Sequence, residues 1–213
     1  MITNEDEARD WLRRLPECDD AAMARLALLV EMLAEENQRQ NLVSAASLDL
    51  VWIRHIVDSA QLLPHVPRET SLPWMDLGTG AGFPGLVVAA LRPEWEVIMV
   101  ESRNRRIEWL EHARIEMGLE RARIVGSRLE LVESQPCSVI SARAFAPLDK
   151  LLALSSRFST SDTIWLLPKG RSAKQELDDL RNWRHVFHVE QSLTDPQAGI
   201  IVGKLAGGKG KTA

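Results

Sequence analysis

The order of apolar and polar positions changes character once along the chain, between Pro64 and Pro73. Before that bracket apolar residues recur every three or four positions, which places them on one face of a helix. Asn4 with Glu7 has the form of a capping box, and Ala8, Trp11, Leu12 and Leu15 make a stripe that stops before Pro16. Asp19 or Asp20 caps a second helix with Met23, Leu26, Val30 and Leu33 inward. Ser47 is expected to cap a third, with Val51, Trp52, Ile56 and Leu63 facing the core. On that helix Arg54 and Asp58 lie one turn apart. Their spacing favours an ion pair of roughly a few tenths of a kcal/mol over a role for the cluster Arg54, His55, Asp58 and Ser59 in docking the segment over a ligand cleft or touching a substrate.

After the bracket the pattern turns to short, unbroken apolar runs, the form of strands buried on both faces. Trp74–Asp76, Val97–Glu101, Arg123–Val125, Val139–Ser141 and Thr163–Leu167 are five such runs. Helices are expected at Leu86–Leu91, at Arg103–Met117 with Gly118 as its stop, and at the polar stretch Ser172–Asn182. His185–Gln191 and Gly199–Leu205 are the last strand candidates. Strands alternating with helices predict a doubly wound, mostly parallel α/β sheet whose ligands sit at the carboxyl ends of its strands. The resulting plan is a helical segment over 1–65 packed on the core, a linker over 66–72, an α/β core over 73–205 and a flexible basic tail over 206–213.

Composition narrows this only a little. A chain of 213 residues, 45% hydrophobic, can fill one core with an appendage. Nothing in it reads as a signal peptide or a membrane span, so a cytoplasmic location and no membrane partner are expected. Cys18 and Cys137 have no metal-ligand spacing, no metal is expected, and the pair fits a reducing compartment. The net charge of −4 means that any nucleic-acid site must be a local basic face. Arg103, Arg105, Arg106, Arg128, Arg143, Lys169 and Arg171, at or near strand exits, are the candidates for it.

The chemistry concentrates in Trp74–Gly85. Asp76 closes the first run, Gly78, Gly80 and Gly82 follow, and Pro84 suits the first turn of a helix. Glycines there let the backbone take positive φ and let a ligand approach, while the helix points its free N–H groups at that ligand. Glu101 ends the next run, near the spacing of about 20 residues at which a Rossmann-type acid reaches a ribose hydroxyl. The spacing G-x-G-x-G after an acid differs from the G-x-G-x-x-G of dinucleotide folds. D-L-G-T-G-A-G-F-P-G resembles the first motif of S-adenosylmethionine-dependent methyltransferases. On that reading Asp76 binds, or orders water, near the methionine end of the cofactor, and Glu101 takes the ribose. Past the third strand, Gly126–Glu130 offers an apolar residue and an acid to flank adenine. The fourth and fifth strand ends place two cations, Arg143 and Lys169, at the reacting edge.

What is missing narrows the acceptor. The chain has no tyrosine, hence none of the N-P-P-Y type motifs of amine methylation, and Cys137 precedes its strand, at the wrong edge for a C5 nucleophile. An acceptor that needs neither base nor nucleophile fits best. Guanine N7, with a free lone pair, is one, and its methylation needs mainly alignment.

N-L-V (Asn41–Val43), R-H-I-V-D-S (Arg54–Ser59), the glycine motif, S-R-L-E (Ser127–Glu130), S-A-R-A-F-A-P-L (Ser141–Leu148) and P-K-G (Pro168–Gly170) occur in this order. Together they resemble the glucose-inhibited division protein B family, bacterial guanine-N7 methyltransferases of 16S rRNA, over Asp20–Leu205. The resemblance implies a Rossmann-like class I methyltransferase sheet with its last strand antiparallel. It implies S-adenosylmethionine as cofactor, 16S rRNA or the 30S subunit as partner, and a monomer. It carries cofactor contacts onto Gly78, Phe83, Leu129, Glu130 and Arg143; Asp76, Gly80 and Glu101 join them from the motif reading, and Arg143 and Lys169 are the catalytic candidates. Two departures stand out: S-A-R-A where the family commonly has S-R-A, and Val43 where it often has threonine. Alternatives are a small-molecule methyltransferase on the same fold and a ribosome-assembly protein whose cofactor site regulates RNA affinity.

Overall fold

The computed structural model describes residues 1–181 and 183–207. Helix α1 (Glu5–Leu12) starts as the capping pattern requires, with the Asn4 side chain accepting from the Glu7 N–H at 2.9 Å. Glu7 reaches back one residue further than a capping box, to the N–H of Thr3. Helix α2 (Asp20–Glu36) is capped by Asp19, and its inward stripe is Ala22, Leu26, Leu29 and Leu33. Met23 and Val30, expected inside, are only half-buried.

The third helix departs from expectation. Ser44, not Ser47, caps a short α3 (Ala45–Leu48). The chain then winds as a π-helix over Trp52–Val57 before one turn of α4 (Asp58–Ala60). The wide winding turns Trp52, Ile53, His55, Ile56 and Val57 inward together, more than one face of a 3.6-residue helix carries. The Glu5 carboxylate accepts from the N–H groups of Trp52 and Ile53 at its start. Such windings are frequent at functional sites.

After the 66–72 connection come β1 (Trp74–Leu77), α5 (Gly85–Leu91), β2 (Val97–Glu101), α6 (Asn104–Glu116), β3 (Ala122–Gly126) and β4 (Cys137–Ser141). They are followed by α7 (Leu148–Ser155), β5 (Ser159–Pro168), α8 (Ala173–Asp178), β6 (Arg184–His185), β7 (His188–Gln191) and β8 (Gly199–Gly207). The sheet order is β3-β2-β1-β4-β5-β8, with β6 and β7 also pairing with β8. The strands from β1 to β5 are parallel, and β8 is antiparallel to its neighbours. In this register Asp76 lies beside Met99 on one side and Ser141 on the other.

Four details differ from the sequence reading. Helix α7 was not anticipated. The single strand expected over His185–Gln191 is two, β6 and β7. The polar helix stops at Asp178, and the Asn182 at its expected end lies outside the described residues. Strand β8 continues to Gly207, into the expected tail, whose remaining residues 208–213 lie outside the described residues.

Alternate residues of the sheet feed two apolar layers. Trp74, Val97, Met99, Val139 and Leu166 face α5, α6 and the N-terminal helices, while Met75, Ile98, Ile140, Trp165 and Leu167 face α7. Leu26, Leu29 and Leu33 of α2 belong to the same cluster as Leu86, Val87 and Ala90 of α5, and Arg25 donates to the Ala90 carbonyl at 2.9 Å. The helical segment is therefore part of the core. Among the described residues no helix is long and apolar enough to cross a membrane.

His55 is the buried titratable group of the π-helix. Its ring stacks on Phe83 at 4.8 Å, Nε2 lies 3.1 Å from the Ser47 hydroxyl, and Nδ1 faces the Arg143 guanidinium at 3.2 Å. Burial, then the charges of Arg143 and Arg54, push its pKa down to about 3. The ring is neutral, so Nδ1 accepts from Arg143 and Nε2–H donates to Ser47.

Two outcomes follow. Leu33→Ala should lose about 2–5 kcal/mol in urea unfolding, the cost of a buried leucine cavity; a far smaller loss would show that α2 is not part of this core. His55 stays neutral in the folded chain but protonates when unfolded near the ordinary histidine value of about 6.5. Its contribution is thus intact above that pH and is lost as pH falls from there toward 3. The urea midpoint of His55→Gln should therefore fall less steeply across this window than that of the wild type, and equal slopes would remove His55 from the acid response.

Candidate active site

The first strand ends in a carboxylate that has no surface. Asp76 is fully buried and accepts from the Thr79 hydroxyl, the Ser141 hydroxyl at 2.8 Å and the Gly85 N–H at 3.0 Å. Burial pushes its pKa up, against the pull of those three donors. The sequence reading had Asp76 touching the cofactor or its water. The structure gives it a different task, because both oxygens are spent on holding strand, turn and helix together.

Gly78, Gly80 and Gly82 all have positive φ. Gly80 donates its N–H to Glu101 at 3.1 Å, and the other Glu101 oxygen accepts from the N–H groups of Ser102 at 2.7 Å and Arg103 at 2.9 Å. Arg106 stands 3.7 Å from the same carboxylate. Glu101 is thus fixed in place at the floor of a cavity of about 220 Å³, lined also by Gly78, Ser102, Leu129 and Phe145. A carboxylate offers about four acceptor positions, so a ribose hydroxyl would meet an acid already oriented. Leu129 is buried and supplies the apolar wall that a purine needs. Glu130 does not line this cavity; its exposed carboxylate pairs with Arg128 at 3.5 Å.

A larger cavity of about 860 Å³ lies across the fourth and fifth strand ends, lined by Val43, His55, Asp58, Arg143, Phe145 and Lys169 among others. Arg143 is held from four sides. It contacts Asp58 at 3.4 Å, His55 at 3.2 Å and the Arg54 carbonyl at 3.3 Å, and its guanidinium stands 5.3 Å from the Phe83 ring centre. Phe83 itself is buried between His55 and this guanidinium and lines neither cavity. The ion pair expected between Arg54 and Asp58 is replaced by two longer connections: Arg54 to Asp195 at 3.4 Å, and Asp58 to Arg143. The docking role that spacing disfavoured is what the geometry supports.

Lys169 is not a free cation at the reacting edge. Its Nζ donates to the Ala146 carbonyl at 2.6 Å and pairs with Glu176 at 2.9 Å. Glu176 also accepts from the Leu148 N–H and the Ser172 hydroxyl, so the group ties β5, α8 and the 146–148 loop. Of the basic candidates, Arg105 is exposed and donates to the Arg39 carbonyl, while Arg103 and Arg171 are exposed. Cys137 opens β4, at the far end from both cavities; it is fully buried, and burial pushes its thiol up to about 12. The sequence reading sets the site role of His55 and Asp58 aside and gives Phe145 and Glu176 no part. Motif R-H-I-V-D-S was the available signal for the first two.

The smaller cavity suits S-adenosylmethionine by its chemistry: a fixed acid for a ribose and an apolar wall for a purine. A family model described as rRNA small subunit methyltransferase G matches residues 22–196. A ribosomal RNA small subunit methyltransferase G of Novosphingobium aromaticivorans is 59% identical, covering 98% of this chain and 91% of that protein. One of Erythrobacter litoralis is 57% identical over 100% of both chains. Among solved structures, cofactor-bound Rv0187 from MTB superposes with a TM-score of 0.64 at 12% identity, covering 97% of this chain and 99% of that one. A mutant of MtNAS in complex with S-adenosylmethionine gives a TM-score of 0.59 at 13% identity, covering 96% and 84%. These two likenesses bear on the fold. The extent of the family match and the identities decide the rest: the chain belongs to the rRNA small subunit methyltransferase G family, as a methyltransferase that depends on S-adenosylmethionine.

Proposed function

We propose that this chain methylates N7 of a guanine in the 16S rRNA of the small ribosomal subunit. The cofactor would lie in the smaller cavity, with Glu101 accepting from its ribose, Leu129 against its adenine, and the Gly78 turn beneath its methionine part. The acceptor base would enter the larger cavity. Arg143, fixed by Asp58 and His55, would stand at the entrance and hold the base edge or a neighbouring phosphate. Lys169 would act on the same loop from behind, through the Ala146 carbonyl.

One observation supports N7 above other acceptors. Every acid lining the larger cavity is committed to donors within the protein: Asp58 to Arg143 and Thr194, Glu176 to Lys169 and Ser172, Asp195 to Arg54 and Gln197. His55 has both ring nitrogens engaged. Among the described residues none of these groups stands free of a protein donor, as a base placed to deprotonate an amine or hydroxyl would, and N7 has no proton to lose. When bound, the cofactor's sulfonium would supply an electrophilic methyl group, for which the unprotonated N7 lone pair is a competent acceptor without a base. The residues then contribute alignment, which is the larger part of what such a transfer needs. An RNA base reaches such a cavity from a loop or by flipping out of its stack.

The test is transfer of tritium from methyl-labelled S-adenosylmethionine to 30S particles, naked 16S rRNA and small nucleophiles in parallel. Label in RNA at a base that becomes sensitive to N7-specific cleavage is expected, whereas label only in small nucleophiles would replace this reading. Gly78→Val should abolish binding of S-adenosylhomocysteine in calorimetry while the protein stays folded. Cys137→Ser should keep nearly full turnover; a folded, cofactor-loaded but inactive Cys137→Ser would point to covalent C5 chemistry.

A further inference from the structure

The two cavities are neighbours, and among the described residues Ala144 and Phe145 are the two that line both. Phe145 is the partition. Its ring also lies directly on the glycine turn: a Cβ built on Gly78 would sit 2.3 Å from Cδ2, and the three nearest side-chain atoms all belong to this ring. The face of Gly78 that is free of a side chain is thus covered by an aromatic group. Methyl transfer requires donor and acceptor atoms about 3–3.5 Å apart with nothing between them. A closed ring at this place is incompatible with that.

The segment carrying the ring is fixed on both sides and strained in the middle. Before it, Ser141 is bonded to Asp76 and Arg143 to Asp58 and His55. After it, the Ala146 carbonyl accepts from Lys169 and the Leu148 N–H donates to Glu176. Between these anchors Ala144 has φ +52, the positive-φ position held by a residue other than glycine among the described residues. Alanine has no polar side chain to offset that conformation, so it persists because the surroundings impose it. A change at Ala144 would swing Phe145 and leave the anchors in place.

We propose that Phe145 is a gate: its ring occupies the cofactor's place over Gly78 and closes the wall between the cavities, and cofactor binding turns it out and joins them. This rests on the assignment of the Gly78 turn to the cofactor. The order of events follows from the geometry. The donor enters first, and the acceptor cavity gains its opening to the methyl group only afterwards.

Calorimetry of S-adenosylhomocysteine with wild type, Phe145→Ala and Phe145→Leu tests the gate without any turnover. Removing the ring should tighten Kd by about three- to tenfold, because a closed population no longer competes with the ligand. Phe145→Leu, which keeps an apolar side chain, should fall between the two and serves if the alanine variant does not fold. Unchanged or weaker binding in a folded variant would overturn the gate, the second outcome meaning that the ring is a wall of the bound cofactor. Failure of the underlying assignment is separate: it would appear as normal cofactor affinity in Gly78→Val, whatever Phe145 does.

Discussion

Asp76 has no contact with solvent, yet three parts of the fold meet on its carboxylate. The Ser141 hydroxyl that donates to it also accepts from the Trp74 indole N–H at 2.8 Å, so β1 and β4 are tied by side chains as well as by their ladder. Thr79 brings in the turn, and the Gly85 N–H brings in the start of α5. A buried carboxylate is tolerated only when donors replace its water, so the turn must bring these groups to it. That explains why Gly85 is glycine: a Cβ there would lie 2.5 Å from the Met99 side chain and 3.0 Å from the Asp76 oxygen. The positive φ values of Gly78 and Gly80, and the Gly80 N–H aimed at Glu101, follow from the same closure.

A second constraint comes from the N-terminal segment. Its π-helix carries His55 to Arg143, α4 directly after it carries Asp58 there, and Arg54 reaches Asp195 beyond β7. The helical extension therefore does more than cover α5. It fixes Arg143, which lines the larger cavity directly before the Ala144–Phe145 pair that lines both, with a neutral imidazole as acceptor and a carboxylate as counter-charge. Both terminal nitrogens of the Arg143 guanidinium are engaged, one by the Arg54 carbonyl and Asp58 and the other by His55.

The sheet was readable because buried parallel strands are unbroken apolar runs, and Trp74–Leu77 and Val97–Glu101 are both buried throughout. The glycine turn was readable because few residues other than glycine accept its dihedrals. Helix α7 carried a usable signal, Leu148, Leu151, Leu152 and Ser155 at helical spacing, that the sequence reading passed over. Other features had no local signal. A π winding leaves no distinct periodicity over six residues. Arg143 finds Asp58 across 85 positions and Arg54 finds Asp195 across 141, so topology alone creates those pairs. Spacing placed Asp76, Glu130 and Lys169 at the correct edge of the sheet. It did not tell which way each side chain turns, and the structure spends Asp76 and Lys169 on internal bonds and leaves Glu130 at the surface.

The central claim is that the cavity floored by Glu101 and the Gly78 turn receives the cofactor. Hydrogen–deuterium exchange read by mass spectrometry, before and after saturation with S-adenosylhomocysteine, tests it on the unmodified protein. The account predicts slowed exchange in the peptides covering Gly78–Gly82, Glu101–Arg106 and Ser127–Leu129, with altered exchange at Ala144–Phe145. Protection confined to other parts of the chain, with these segments unchanged under saturating ligand, would contradict it.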